Sequence, residues 1–92
     1  MTRDEIMQLD DDALRLAVAK ARGYEWFGVD YPHDIYAAYA LEDALPEEKH
    51  AQYAIYLYNI ILRKGVWWDW SMIHASPADR CRAWLLTMDA KP

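Results

Sequence analysis

The polar and apolar positions of the chain divide it into a short capped turn followed by five longer stretches. In "TRDE", Thr2 precedes Glu5 by three residues, the capping-box spacing, and predicts a brief helical turn. The first longer stretch, "DDDALRLAVAKARG", places Leu14, Ala17, Val18 and Ala21 on one stripe. Asp10 stands at the N-cap, Asp11 and Asp12 lie at the positive end of the dipole, and Gly23 is a left-handed stop. After "YEWFGVDYP", which reads as a loop or a short strand, "PHDIYAAYALEDALP" repeats Ile35, Ala38, Leu41 and Leu45 at helical spacing. Pro32 stands at its opening and Pro46 blocks its continuation.

From Tyr53 to Leu62 the chain is apolar at both parities. Such a run is a strand covered on both faces or a buried helix. Its Tyr and Ile content favours a strand, and "RKG" then reads as a hairpin turn with Gly65 at positive φ. The next segment alternates. Trp68, Trp70 and Met72 fall on one face; Trp67, Asp69, Ser71 and Ile73 fall on the other. "SPADRCRAWLLTMD" is a helix with Ser76 as N-cap, Pro77 at the first helical position and Asp79 three residues after the cap. Ala78, Cys81, Leu85 and Met88 make its inward stripe, Trp84 lies at the stripe's edge, and Arg80 and Arg82 point outward. The expected order is α-α-β-β-α, with one further short strand near Trp26. The expected fold class is α+β: one domain over residues 1–92, a small antiparallel sheet with helices packed over it in layers.

Composition sharpens this picture. In 92 residues there are five Trp, seven Tyr and one Phe. A chain this short buries only about 60–65% of its unfolded surface, so large side chains are an efficient way to fill its core. A face carrying Trp68, Trp70 and Met72 is too apolar to stay bare and is assigned to the core. Trp67, beside Asp69 and Ser71, is assigned to a contact surface, together with the loop aromatics Tyr24, Trp26 and Tyr31.

The net charge of −5 disfavours sequence-independent nucleic-acid binding, which needs clustered Lys and Arg. A single cysteine forms no internal disulfide and no zinc framework, which suits a reducing cytoplasmic setting. "MTRDEIMQLDDD" lacks the apolar core of a signal peptide. "YAIYLYNIIL" is too short to span a membrane.

Candidate chemistry is sparse. Cys81 and His74 suggest a thiol–imidazole pair, but Cys81 falls on the inward stripe and no third orienting group is indicated. His33 beside Asp34, and His50 after Glu47 and Glu48, lack a recognised metal-ligand spacing. The acidic runs Asp10–Asp12, Glu42–Asp43 and Glu47–Glu48 invite comparison with nucleic-acid phosphates, but caps and solvated faces explain such runs more often. No Gly-rich phosphate loop, nucleophile elbow or paired-carboxylate signature occurs. No catalytic residue, metal ligand or cofactor is therefore expected.

Three segments together resemble the phage ABA sandwich domain family. They are "TRDEIMQL" with "LRLAVAKARGYEW", "YPHDIYAAYALEDAL", and "ASPADRCRAWLLT", where Pro77, Cys81, Arg82, Ala83, Leu85 and Leu86 fit the family's closing-helix pattern. The resemblance implies a layered α/β/α arrangement and a phage setting, and brings no catalytic residues. The function expected is that of a non-catalytic phage accessory protein in the host bacterial cytoplasm. It would bind a host protein, as an anti-CRISPR inhibitor of a defence effector does, through Trp67, Asp69, Tyr24, Trp26 and Tyr31; a homo-oligomer is a further expectation. The alternative is a nucleotide or small-molecule sponge, with aromatic rings beside Arg63, Lys64, Arg80 and Arg82.

Overall fold

A computed structural model describes residues 1–23, 28–64 and 74–88 of the chain. In chain order these form α1 (Arg3–Met7), α2 (Asp11–Ala21), α3 (Ile35–Asp43), a 3-10 turn (Glu47–Lys49), α4 (His50–Leu62) and α5 (Pro77–Met88).

The helix starts follow local chemistry. Thr2 accepts from the Glu5 backbone N–H at 3.3 Å and its own N–H donates to Glu5 Oε1 at 3.0 Å, closing the capping box of α1. Asp10 caps α2 through the Ala13 N–H at 2.8 Å, and Gly23 follows that helix at φ 79°. Helix α3 starts later than the sequence pattern suggests. Pro32 lies in the preceding turn, and Asp34 caps the helix by accepting from the N–H groups of Tyr36 and Ala37. Ser76 caps α5 through the Asp79 N–H at 3.1 Å, with Pro77 at the first helical position as expected.

The expected small antiparallel sheet is overturned. Among the described residues no sheet forms, and the first strand of the expected hairpin is helix α4. Tyr53, Leu57, Ile60 and Ile61 are buried on one arc at helical spacing. The "RKG" turn begins as a helix end: Arg63 N–H reaches Asn59 O at 3.3 Å, and Lys64 N–H reaches Ile61 O at 3.0 Å. A β-leaning composition lost to helical packing, and the ten-residue apolar run suits a helix better than an average strand. The expected second strand and the extra strand near Trp26 lie outside the described residues. The α+β sandwich is thus replaced by helices packed on helices, and the α/β/α layering implied by the family resemblance falls with it.

Helix α5 is central. Helices α1, α2, α3 and α4 all pack against it. Eight of its twelve residues are buried: Asp79, Arg80, Cys81, Ala83, Trp84, Leu85, Leu86 and Thr87. One hydrophobic cluster draws Ile6 from α1, Leu14 and Val18 from α2, Leu41 from α3, Leu57 and Ile60 from α4, and Cys81 and Leu85 from α5. Cys81 and Leu85 are buried as expected, whereas Met88 is 45% exposed and Trp84 is core rather than edge. Trp68 and Trp70 lie outside the described residues. Arg80 and Arg82 are not outward. Arg80 is buried, and the Arg82 side chain is mostly covered, because α5 is surrounded on more than one side.

Candidate functional site

The buried arginines organise the polar interior. Arg80 Nη1 donates to both carboxylate oxygens of Glu42 at 2.9 Å, and Arg80 Nε donates to the Ala75 carbonyl at 3.0 Å. Tyr53 Oη donates to Glu42 Oε2 at 2.6 Å, so one carboxylate joins α3, α4 and α5. Burial, followed by the adjacent Glu42 carboxylate, raises the Tyr53 hydroxyl above the ordinary tyrosine range. A second cluster centres on Asp79, which takes Lys64 Nζ and, at 3.4 Å, Arg82 Nη1. Arg82 Nη2 donates to the Leu9 carbonyl at 3.0 Å, tying α5 to the chain between α1 and α2. Three of the four cations considered for a small-molecule site, Lys64, Arg80 and Arg82, therefore face carboxylates; Arg63 is exposed.

Cys81 is fully enclosed and its thiol is pushed up to about 12. Burial is the main cause, and the nearby Arg82 charge only partly offsets it. His74 is exposed, so the two do not share one environment. His33 and Asp34 do not act together. Asp34 caps α3, while the exposed His33 places Nε2 2.8 Å from Asp11 and Nδ1 2.9 Å from Asp30. Two carboxylates, one on each ring nitrogen, stabilise the imidazolium and raise its pKa, the Asp30 hydrogen bond being the largest influence. The His50 ring meets the Leu45 carbonyl at 3.1 Å. Among the described residues no group of three or more His, Cys, Asp or Glu is placed to hold a metal ion. The acidic runs divide in the same way: Asp10 is a cap, Asp11 pairs with His33, and Glu42 faces Arg80.

Of the expected contact residues, Tyr31 is 4% exposed and belongs to the core, so it offers no surface. Trp67, Asp69, Tyr24 and Trp26 lie outside the described residues. The exposed aromatic surface that the structure does place is on α3. Tyr36 is 80% exposed and Tyr39 41%. With exposed Ala40 and Asp43 they make one outward stripe at i, i+3, i+4 and i+7, opposite buried Ala38 and Leu41. The Arg80 guanidinium lies 5.0 Å from the centre of the Tyr39 ring, so the Glu42–Arg80 pair supports that ring from within. Sequence reasoning passed over this face although its signal was present. With Ala38 and Leu41 turned inward, the helical period leaves Tyr36 and Tyr39 on the outer side.

The chain matches no protein-family model, no curated protein and no solved structure.

Proposed function

We propose that this is a non-catalytic binding protein that docks a partner protein through the outward face of α3. The observation that carries the reading is Tyr36, a large aromatic side chain left 80% exposed on a capped helix. Tyrosine is enriched among residues that dominate binding energy, because it buries a large rigid surface at low entropic cost. Tyr39, held by Arg80, supplies a second ring, and Asp34 and Asp43 give the face an acidic border suited to a basic patch on the partner. The setting, a phage accessory protein acting on a host defence component such as a CRISPR effector, rests on the resemblance of three sequence segments. The nucleotide-sponge alternative is weakened because Lys64, Arg80 and Arg82 already have carboxylate partners.

The test is a photo-cross-linking amino acid at position 36, with the protein expressed in a bacterial host carrying an active defence system. A single protein adduct, lost on Tyr39→Asp, is expected. Tyr36→Asp should weaken the purified complex by roughly 30-fold or more while leaving the melting temperature unchanged. No protein adduct from position 36, or undiminished affinity of the Asp variant, refutes the reading.

A further inference from the structure

Helix α3 ends on two adjacent carboxylates, and the packing of the chain accounts for only one of them. Glu42 turns inward, where it accepts from Arg80 and Tyr53. Asp43, the last residue of the helix, is exposed and meets no cation among the described residues. It stands at the negative end of the helix dipole, which disfavours a carboxylate, and the last turn of α3 holds no basic residue. From Asp34 to Glu48 the chain carries five carboxylates and neither lysine nor arginine, so every charge that α3 itself exposes is negative. Tyr39 lies between the two acids, with Glu42 three residues on and Asp43 four residues on. Helical geometry sets Glu42 to the inner side of that ring and Asp43 to the outer side, which it shares with Tyr36. The inner side is complete: the Arg80 guanidinium lies 5.0 Å from the Tyr39 ring centre and bonds Glu42 at 2.9 Å.

We infer that the partner completes the outer side in the same way: an arginine side chain lies against the Tyr36 ring and bonds Asp43, so the segment that docks on α3 is a basic, arginine-bearing one. This deepens the docking reading and rests on it. Three observations carry it. Tyr36 is 80% exposed, so its ring is open to a cation. Ala40, four residues after Tyr36 and three before Asp43, is small and exposed, and leaves room for a guanidinium between ring and carboxylate. Asp43 is electrostatically misplaced for the helix alone, and a cation from outside answers it. Arginine fits better than lysine because its guanidinium is planar: it stacks on an aromatic ring while its N–H fork meets a carboxylate, which a compact ammonium does less well. The chain already holds one such trio in Tyr39, Arg80 and Glu42.

The experiment is an NMR titration of the full chain, its tyrosine rings isotopically labelled, with an alanine-based peptide bearing arginine at every fourth position. The ring signals of Tyr36 and Tyr39, assigned through Tyr36→Phe and Tyr39→Phe, should shift and saturate. The same peptide with citrulline, neutral and of nearly the same shape, should leave them in place, and the lysine version should bind roughly threefold or more weakly. Asp43→Asn should weaken the arginine peptide roughly twofold to fivefold, with a Tm equal to or above that of wild type because a charge at the wrong end of the dipole is gone. Tyrosine signals indifferent to the arginine peptide overturn the inference. So does equal binding of the citrulline or lysine peptide, or an Asp43→Asn variant of undiminished affinity. The cross-link at position 36 judges the docking reading separately. A protein adduct there without an arginine response leaves docking standing and removes its guanidinium chemistry; the absence of an adduct removes both.

Discussion

Replacing Glu42 with Ala tests whether the polar interior holds the helices together. The substitution removes two 2.9 Å contacts to Arg80 Nη1 and the 2.6 Å bond from Tyr53 Oη. Arg80 has a side chain only 8% exposed, so its charge is left with little solvent to replace the carboxylate. Removing one partner of a buried ion pair costs about 3–5 kcal/mol. The Glu42 side chain is itself 23% exposed, which admits some water and moves the figure to the lower end, about 3 kcal/mol. A domain of this size has a total stability of roughly 5–14 kcal/mol, so the loss is a large share of it. It corresponds to a fall in Tm of roughly 12–24 °C. Urea unfolding followed by circular dichroism measures it. The decisive comparison is a double-mutant cycle with Arg80→Met, which keeps most of the apolar stem and deletes the charge. With Arg80 gone, the Glu42→Ala step should cost much less, leaving a coupling of about 2 kcal/mol. A Glu42→Ala variant within about 0.5 kcal/mol of wild type, or additive single effects, would sink the idea that this pair is a structural joint.

Two further outcomes follow from the same geometry. Native Cys81 should react with a disulfide reagent at neutral pH on the order of 1,000-fold more slowly than an unfolded control, given a thiol pKa near 12 against an ordinary value of about 8.5; labelling at the unfolded rate would contradict the enclosed placement. The folded His33 pKa is raised, so its stabilising pairing with Asp11 and Asp30 is fully present below the unfolded value of about 6.5 and is lost as pH rises through the folded value. The stability advantage of wild type over His33→Gln should therefore shrink from pH 6 towards pH 9, and added salt should reduce it at pH 6; a difference constant with pH would show that the imidazole acts by shape alone.

The features legible in the sequence are those closed within a turn of helix. Thr2 with Glu5, Asp10 before α2, Gly23 after it, and Ser76 with Pro77 each satisfy or release backbone groups three or four residues away. No distant partner is required, so residue identity and spacing were enough. The stripe Ala38, Leu41, Leu45 and the inward Cys81 and Leu85 were readable for the same reason, because helical period sorts faces without knowledge of what covers them. Periodicity could not choose between helix and strand for Tyr53–Leu62, where both parities are apolar; packing of Leu57, Ile60 and Ile61 in the common core is what the helix supplies. Nor could it place Arg80, whose carboxylate partner is 38 residues away, or Arg82, whose carbonyl acceptor is 73 residues away. Taken alone, a charged residue in an amphipathic pattern reads as outward. A surrounding set of helices that supplies a counter-charge and acceptors makes the same residue an interior joint, and that depends on which elements meet in three dimensions.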